Sequence, residues 1–190
     1  MEAKTIDPRV EPLIGELTTT GKFFAKTAEC LEEKDSSFAP HPGMFTVAQH
    51  VAHAAQAIDW FIDGAFRPEG MSTDFEGNEK VVRRVTSLAE ARAWLDRSVG
   101  SATERLKAAR SADLDQPIQG PIMAGMPRSA VISAIGPFVE ERLLDRLRLG
   151  EVFRWEVFAL LPLEPVRLVL DEGFDLDPFQ RDACQALERG

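Results

Sequence analysis

The sequence predicts an all-α protein: an up-down bundle of four long helices, joined by long loops and followed by a C-terminal extension. Three observations predict it. Four segments repeat apolar residues at spacings of three and four over windows longer than a typical strand. Two of these segments open on a Ser/Thr-x-x-Glu/Gln pattern, Thr46-Val47-Ala48-Gln49 and Ser87-Leu88-Ala89-Glu90. In that pattern a hydroxyl and an amide or acid satisfy each other's backbone N–H groups at a helix start. No series of alternating apolar and polar runs marks a sheet. Local capping signals and apolar periodicity point to the same architecture, and agreement between levels is what specifies a fold.

Each element follows from the residues. Asp7-Pro8 supplies an N-cap and a proline for the first helical position, and Val10, Leu13, Ile14, Leu17, Phe24, Ala28 and Leu31 then recur on one face. Thr18 to Thr20 are weak helix formers, so periodicity carries this first helix. Glu32 to Ser37 is a polar exit, and Ala39-Pro40-His41-Pro42-Gly43 is a loop. The second helix runs from its Thr46 cap to about Ala65, with Val47, Val51, Ala54, Ala55, Ile58 and Phe61 inward and Trp60 widening the apolar face. Arg67-Pro68-Glu69-Gly70 ends it. Residues 68 to 86 read as a long irregular connection with a helical turn near Asn78 to Val82, and long loops inside compact domains are often functional. Leu88, Ala91, Trp94, Leu95, Val99, Ala102 and Leu106 give the cleanest stripe, a third helix ending near Ala109 or Arg110. Residues 111 to 127 form a second long loop. Met126-Pro127-Arg128 opens the fourth helix, which Pro137 should kink or restart because it lacks an N–H donor. Phe138, Leu144, Leu147, Val152, Phe158 and Leu161 are its candidate core positions, and Pro162 stops it. Val166 to Leu170 alternates enough for a short strand, and Asp177-Pro178 caps a terminal helix to about Leu187. The division is therefore a bundle over residues 1–162 and an extension over 163–190.

Composition narrows the function. The chain has 190 residues, 44% hydrophobic and 28% charged, which suits one soluble domain with or without an appendage. A net charge of -9 and a pI near 4.9 speak against a nucleic-acid surface, which needs a basic patch, and against anionic membranes. No stretch approaches the roughly 20 apolar residues that cross a bilayer. Cys30 and Cys184 lie at opposite ends and form no disulfide framework, so a reducing cytoplasm is expected. The N-terminal residues carry no charged-then-apolar signal pattern. There is no G-x-S-x-G setting for a serine and no G-x-x-x-x-G-K-[ST] loop, so neither an α/β-hydrolase nucleophile nor ATP binding is implied.

The chemistry-bearing feature is the pair His50 and His53, two of the three histidines in the chain. Three residues turn an α-helix by about 300°, which sends both imidazoles toward the same side. A metal site is the function this suggests, and it needs further ligands. The competing reading is a histidine hydrogen-bonded in the bundle interior without metal. His41, between two prolines, is a loop residue.

Phe45-Thr46-Val47-Ala48-Gln49-His50-Val51-Ala52-His53 resembles the second-helix signature of the DinB-like family of metal-binding four-helix bundles. Leu88 to Leu106 resembles its third helix, and Gly125-Met126-Pro127-Arg128-Ser129-Ala130-Val131 the start of its fourth. The resemblance covers about residues 1–135. It implies that His53 is a metal ligand, that His50 is not, and that the protein is a homodimer. It also implies a divalent metal ion, Zn or Ni first, and a metal-dependent hydrolase or thiol-transferase acting on a small-molecule substrate. The family's two further histidines, spaced i, i+4 on the fourth helix, are missing: Ala134 to Asp145 contains none, nor does any residue after His53. Two readings remain. Glu141 and Asp145, also spaced i, i+4, join His53 in a His-plus-two-carboxylate site. Alternatively the site is lost, the charges from Glu140 to Glu156 are an ordinary solvated face, and the bundle is a non-catalytic interaction or dimerisation module.

Overall fold

A computed structural model describes residues 8–39 and 42–139. The chain divides into two units, Met1–Val152 and Phe153–Gly190, and everything described belongs to the first. The expected division after residue 162, most of the fourth helix, the strand at Val166 and the helix at Asp177 fall outside the described residues. Within them lie α1 (Val10–Thr27), α2 (Val47–Phe66), α3 (Phe75–Arg83), α4 (Leu88–Ala108), α5 (Ser111–Leu114) and α6 (Arg128–Ser133). There is no strand among the described residues beyond an isolated bridge between Pro117 and Pro127.

The helix starts show how the sequence sets the elements. α1 begins behind Arg9, which makes no side-chain cap, so Pro8 precedes the helix rather than opening it. The Arg9 guanidinium instead grips Asp115 at 2.8 Å and the Ser111 carbonyl at 2.7 Å. α1 ends at Thr27, earlier than the apolar pattern implied. Ala28 and Leu31 remain buried in the turn that follows, and their carbonyls accept from Arg92 of α4. α2 carries the full capping box: Thr46 N–H donates to Gln49 Oε1 at 3.0 Å and Gln49 N–H to Thr46 Oγ1 at 3.3 Å.

At α4, Ser87 Oγ accepts from Glu90 N–H at 3.2 Å. The other open amides go to a distant acid: Glu33, in the 3-10 turn Glu33–Asp35, accepts from Leu88 at 3.2 Å and Ala89 at 2.9 Å. The Ser87 hydroxyl and the Ala89 amide hold the Glu33 carboxyl below its ordinary value, as expected for an anion at a helix N-terminus.

The connection after α2 is more ordered than its sequence suggested. Asp74 Oδ1 caps Gly77 N–H at 2.8 Å and opens the nine-residue α3. Lys80–Glu76 and Arg83–Glu79 pairs support it at i, i+4, while only Val82 is buried. A helix with one buried residue leaves no apolar stripe to read. Farther on, Pro137 has no N–H for the Ser133 carbonyl, and the fourth helix breaks at Ala134, one turn upstream. Residues 135–139 are helical again, with Phe138 N–H donating to Ala134 O at 3.1 Å.

These elements build the expected four-helix bundle with a definite order of directions. The segment after the 3-10 turn sits over the starts of both α2 and α4. Val47 N–H bonds Phe38 O at 2.9 Å, Ala48 N–H bonds Ser36 O at 3.2 Å, and Leu88 N–H bonds Ser36 Oγ at 3.0 Å. At the far end Arg105 of α4 stacks 4.7 Å from the Phe66 ring of α2. α2 and α4 therefore run parallel, and α3 lies in the crossover between them. α1 is antiparallel to α4. The fourth helix starts beside Phe66, with Arg128 at 5.3 Å, and runs back along α2, with Phe138 at 5.1 Å from Phe61. α1 packs on α4 and α6, and so does α2, which puts α1 and α2 on a diagonal. Phe61, Ile58, Leu88, Leu106, Val131 and Ile135 fill the middle. No helix of the described residues is long and apolar enough to cross a membrane.

Two loops cross backbone on backbone at the end of the bundle. Gly70 (φ +78°) and Gly120 (φ +91°) face each other, and a Cβ at Gly70 would stand 1.8 Å from the Gln119 carbonyl oxygen. Only glycine combines that conformation with that approach.

Candidate functional site

The first turns of α2 organise the histidines. Gln49 donates its side-chain amide to the Arg83 carbonyl at 2.9 Å, and Arg83 donates to the Gly43 carbonyl at 3.0 Å, so the end of α3 is bound to the start of α2. Phe45, buried just before the cap, is the shared surface. His50 meets its ring edge-on at 5.7 Å, His53 at a tilt at 5.4 Å, and the Arg83 guanidinium stands 4.7 Å from its centroid. His50 is 6% exposed, and the Nε2 atoms of both histidines are shut off from solvent.

The two imidazoles share Phe45 but belong to neighbouring stripes, about 60° apart around the helix. His50 follows Ala54, Ala57 and Phe61, the stripe that meets the fourth helix at Phe138. His53 falls between Gln49 and Trp60, both tied to the crossover: Gln49 to Arg83, and Trp60 to the Ser72 carbonyl at 2.8 Å and the Phe75 ring at 6.1 Å.

A metal ion requires more than these donors. Among the described residues no group of three or more His, Cys, Asp or Glu is placed to hold one. Among the described residues, His53 offers one imidazole nitrogen that is shut off from solvent. The other two candidates, Glu141 and Asp145, lie outside the described residues, as do His41 and Cys184. Cys30 is exposed in the turn after α1.

A second feature was not singled out in the sequence. A cleft of about 530 Å3 opens between the end of α3 and the first half of α4, floored by Asp59 of α2. Trp94 donates its indole N–H to Asp59 Oδ2 at 2.8 Å. Ser98 lines the same cleft and is 2% exposed, yet its hydroxyl finds no hydrogen-bond partner among the described residues. The sequence held a signal for it. Ser98 stands seven residues after Ala91 and four before Ala102, on the stripe of Leu88, Leu95 and Leu106, whereas Val99, assigned to that stripe, is half-buried. A serine in that register interrupts the apolar stripe where the cleft meets α4.

The described fold is a four-helix bundle whose second helix carries a buried His50 and a half-buried His53 near its start. The chain belongs to the DinB superfamily, whose family model matches residues 16–136. Among solved structures it is similar to YfiT from Bacillus subtilis, described as a probable metal-dependent hydrolase with an unusual four-helix bundle topology. That likeness has a TM-score of 0.60 at 13% identity and covers 82% of this chain and 94% of the other; at that identity it speaks for the fold. No curated protein sequence matches the chain.

Proposed function

We propose that this chain is a divalent-metal-dependent enzyme of the DinB type, a hydrolase or thiol-transferase acting on a small molecule, in which His53 is joined by Glu141 and Asp145. The observation that supports it is His53 itself. Its Nε2 is buried, its ring is fixed against Phe45, and it occupies the position that the family pattern gives to the first ligand. Glu141 and Asp145 are spaced i, i+4, which gives two carboxylates one helical face. A mixed imidazole and carboxylate set suits Zn or Ni. Such an ion lowers the pKa of a bound water or thiol toward neutrality. The homodimer implied by the family resemblance is part of this proposal, and light scattering on the purified protein tests it.

The decisive experiment is elemental analysis of tag-free protein, wild type beside His53→Ala and the pair Glu141→Gln and Asp145→Asn. Near-stoichiometric metal in the wild type, lost in each variant, supports the proposal. Metal that persists in the carboxylate variant removes Glu141 and Asp145 from the centre. A second reading is favoured by the absence of any histidine after His53 in the sequence: a bundle that kept the scaffold, lost the site and serves as an interaction module. Metal-free wild type with an unchanged melting temperature in chelator would establish that reading.

A further inference from the structure

We propose that the cleft between α3 and α4 binds a zwitterionic, amino-acid-like small molecule with an apolar side chain. Neither His50 nor His53 lines it, so the proposal stands apart from the metal reading. Its volume of about 530 Å3 is within the usual range for small-molecule sites, roughly 300–1,000 Å3.

The charged groups define the ligand. Arg84 and Arg97 line the cleft and make no hydrogen bond, ion pair or ring contact among the described residues. Every other arginine there is occupied by a carboxylate, a backbone carbonyl or an aromatic ring. Two unoccupied guanidiniums on one cleft are suited to a carboxylate, which they can meet with paired N–H donors. Asp59 and Glu90 also line it, and they balance the two arginines. A balanced lining disfavours a dianion such as phosphate and suits a ligand that brings both signs.

The remaining groups orient it. Asp59 spends Oδ2 on the Trp94 indole, which fixes the ring and leaves Oδ1 for an ammonium. The Trp94 ring, with Val81 and Val85, offers the apolar wall. Ser98 is the second, independent observation. A buried hydroxyl normally has a partner, and one left unbonded carries a desolvation cost that a ligand atom removes. Its placement on the wall of the cleft explains why a core register holds serine.

The test is a titration of the full-length protein with L-phenylalanine and L-leucine, followed by tryptophan fluorescence. Phenethylamine and 3-phenylpropionate serve as half-charged probes and inorganic phosphate as the anion control. The expected result is a saturable change with at least one amino acid, about tenfold or more weaker with either half-charged probe, and abolished in Arg84→Ala/Arg97→Ala. Both arginines are exposed and unengaged, so that variant should melt as the wild type does. Ser98→Ala should weaken binding and raise the melting temperature together; a serine with only a structural role would change the melting alone. No saturation with either amino acid up to roughly 10 mM, about ten times a millimolar Kd, overturns the proposal. So does equal affinity for phosphate, or binding that survives loss of both arginines.

Discussion

Replacing Gly70 by alanine puts the crossing of the two loops under a direct test. Its φ of +78° costs a non-glycine residue about 1–2 kcal/mol. The added Cβ would also stand 1.8 Å from the Gln119 carbonyl oxygen and 2.7 Å from its carbon. Both are backbone atoms, so no side-chain rotation relieves the clash. One loop has to retreat by more than an ångström, a shift of the overpacking kind that costs about 1–3 kcal/mol more. The sum is about 2–5 kcal/mol, which at about 2–4 °C per kcal/mol for a chain of this size lowers the melting temperature by roughly 4–20 °C. Gly125→Ala is the matched control. Its φ is +80° with nothing within 4 Å of the added Cβ, so it carries the conformational cost without the collision. Thermal unfolding followed by circular dichroism at 222 nm reads both. Equal losses in the two variants would refute the close crossing of the loops.

Three further outcomes follow from the same structure. The folded-state pKa of Glu33 lies below its ordinary value, through the Ser87 hydroxyl and the Ala89 amide, and Asp113 is lowered to about 2, chiefly by its bond to Arg110. Their contributions are therefore complete above the unfolded carboxyl values and are lost as pH falls through the folded ones. The gap in melting temperature between wild type and Glu33→Gln should be present at neutral pH and close in acid, and a gap independent of pH would count against the helix-start role of the carboxylate. Asp74→Ala removes the cap of α3 at a cost of about 1 kcal/mol. It should speed amide exchange across residues 75–85 roughly fivefold while the global melting temperature barely moves. Fluorescence and stability of Asp59→Ala, Trp94→Phe and the double variant should give a coupling of about 1 kcal/mol for the Trp94–Asp59 bond; additive losses would mean that the bond contributes nothing.

What the sequence disclosed depended on which interactions are local. The Thr46–Gln49 box, the stripe of Leu88, Ala91, Leu95, Ala102 and Leu106, and the break that Pro137 imposes are all decided within a few residues, and each is found in place. Interactions that span the chain stayed hidden. The acid at the start of α4 is Glu33, fifty-five positions from Leu88, and no pattern around Ser87 points to it. α3 shows in the sequence only as a single turn, because an exposed helix held by ion pairs and an Asp cap has almost no apolar period. His53 was legible as a candidate from its helix and its resemblance, but Phe45 as the ring that seats both imidazoles was not. Aromatic contacts follow side-chain direction, which residue order does not state.

The crossover links these features. Two parallel helices cannot be joined by a tight turn, because the chain leaves the end of one and must re-enter at the start of the other. Here α2 and α4 are parallel, and the connection through Met71, α3 and Val85 makes that return. In doing so it passes along the stripe from Trp60 to Gln49 that includes His53, and its far edge forms one wall of the cleft with α4. The segment that reads as a loop in the sequence is therefore tied to α2 at Gln49 and Trp60, and its Val81, Arg84 and Val85 line the cleft with two unoccupied arginines. A topology requirement has placed a marginal helix, capped by one aspartate and packed through little more than Val82, against both candidate sites. Any ligand that orders α3 from the cleft side acts on an element held by little more than its Asp74 cap and Val82.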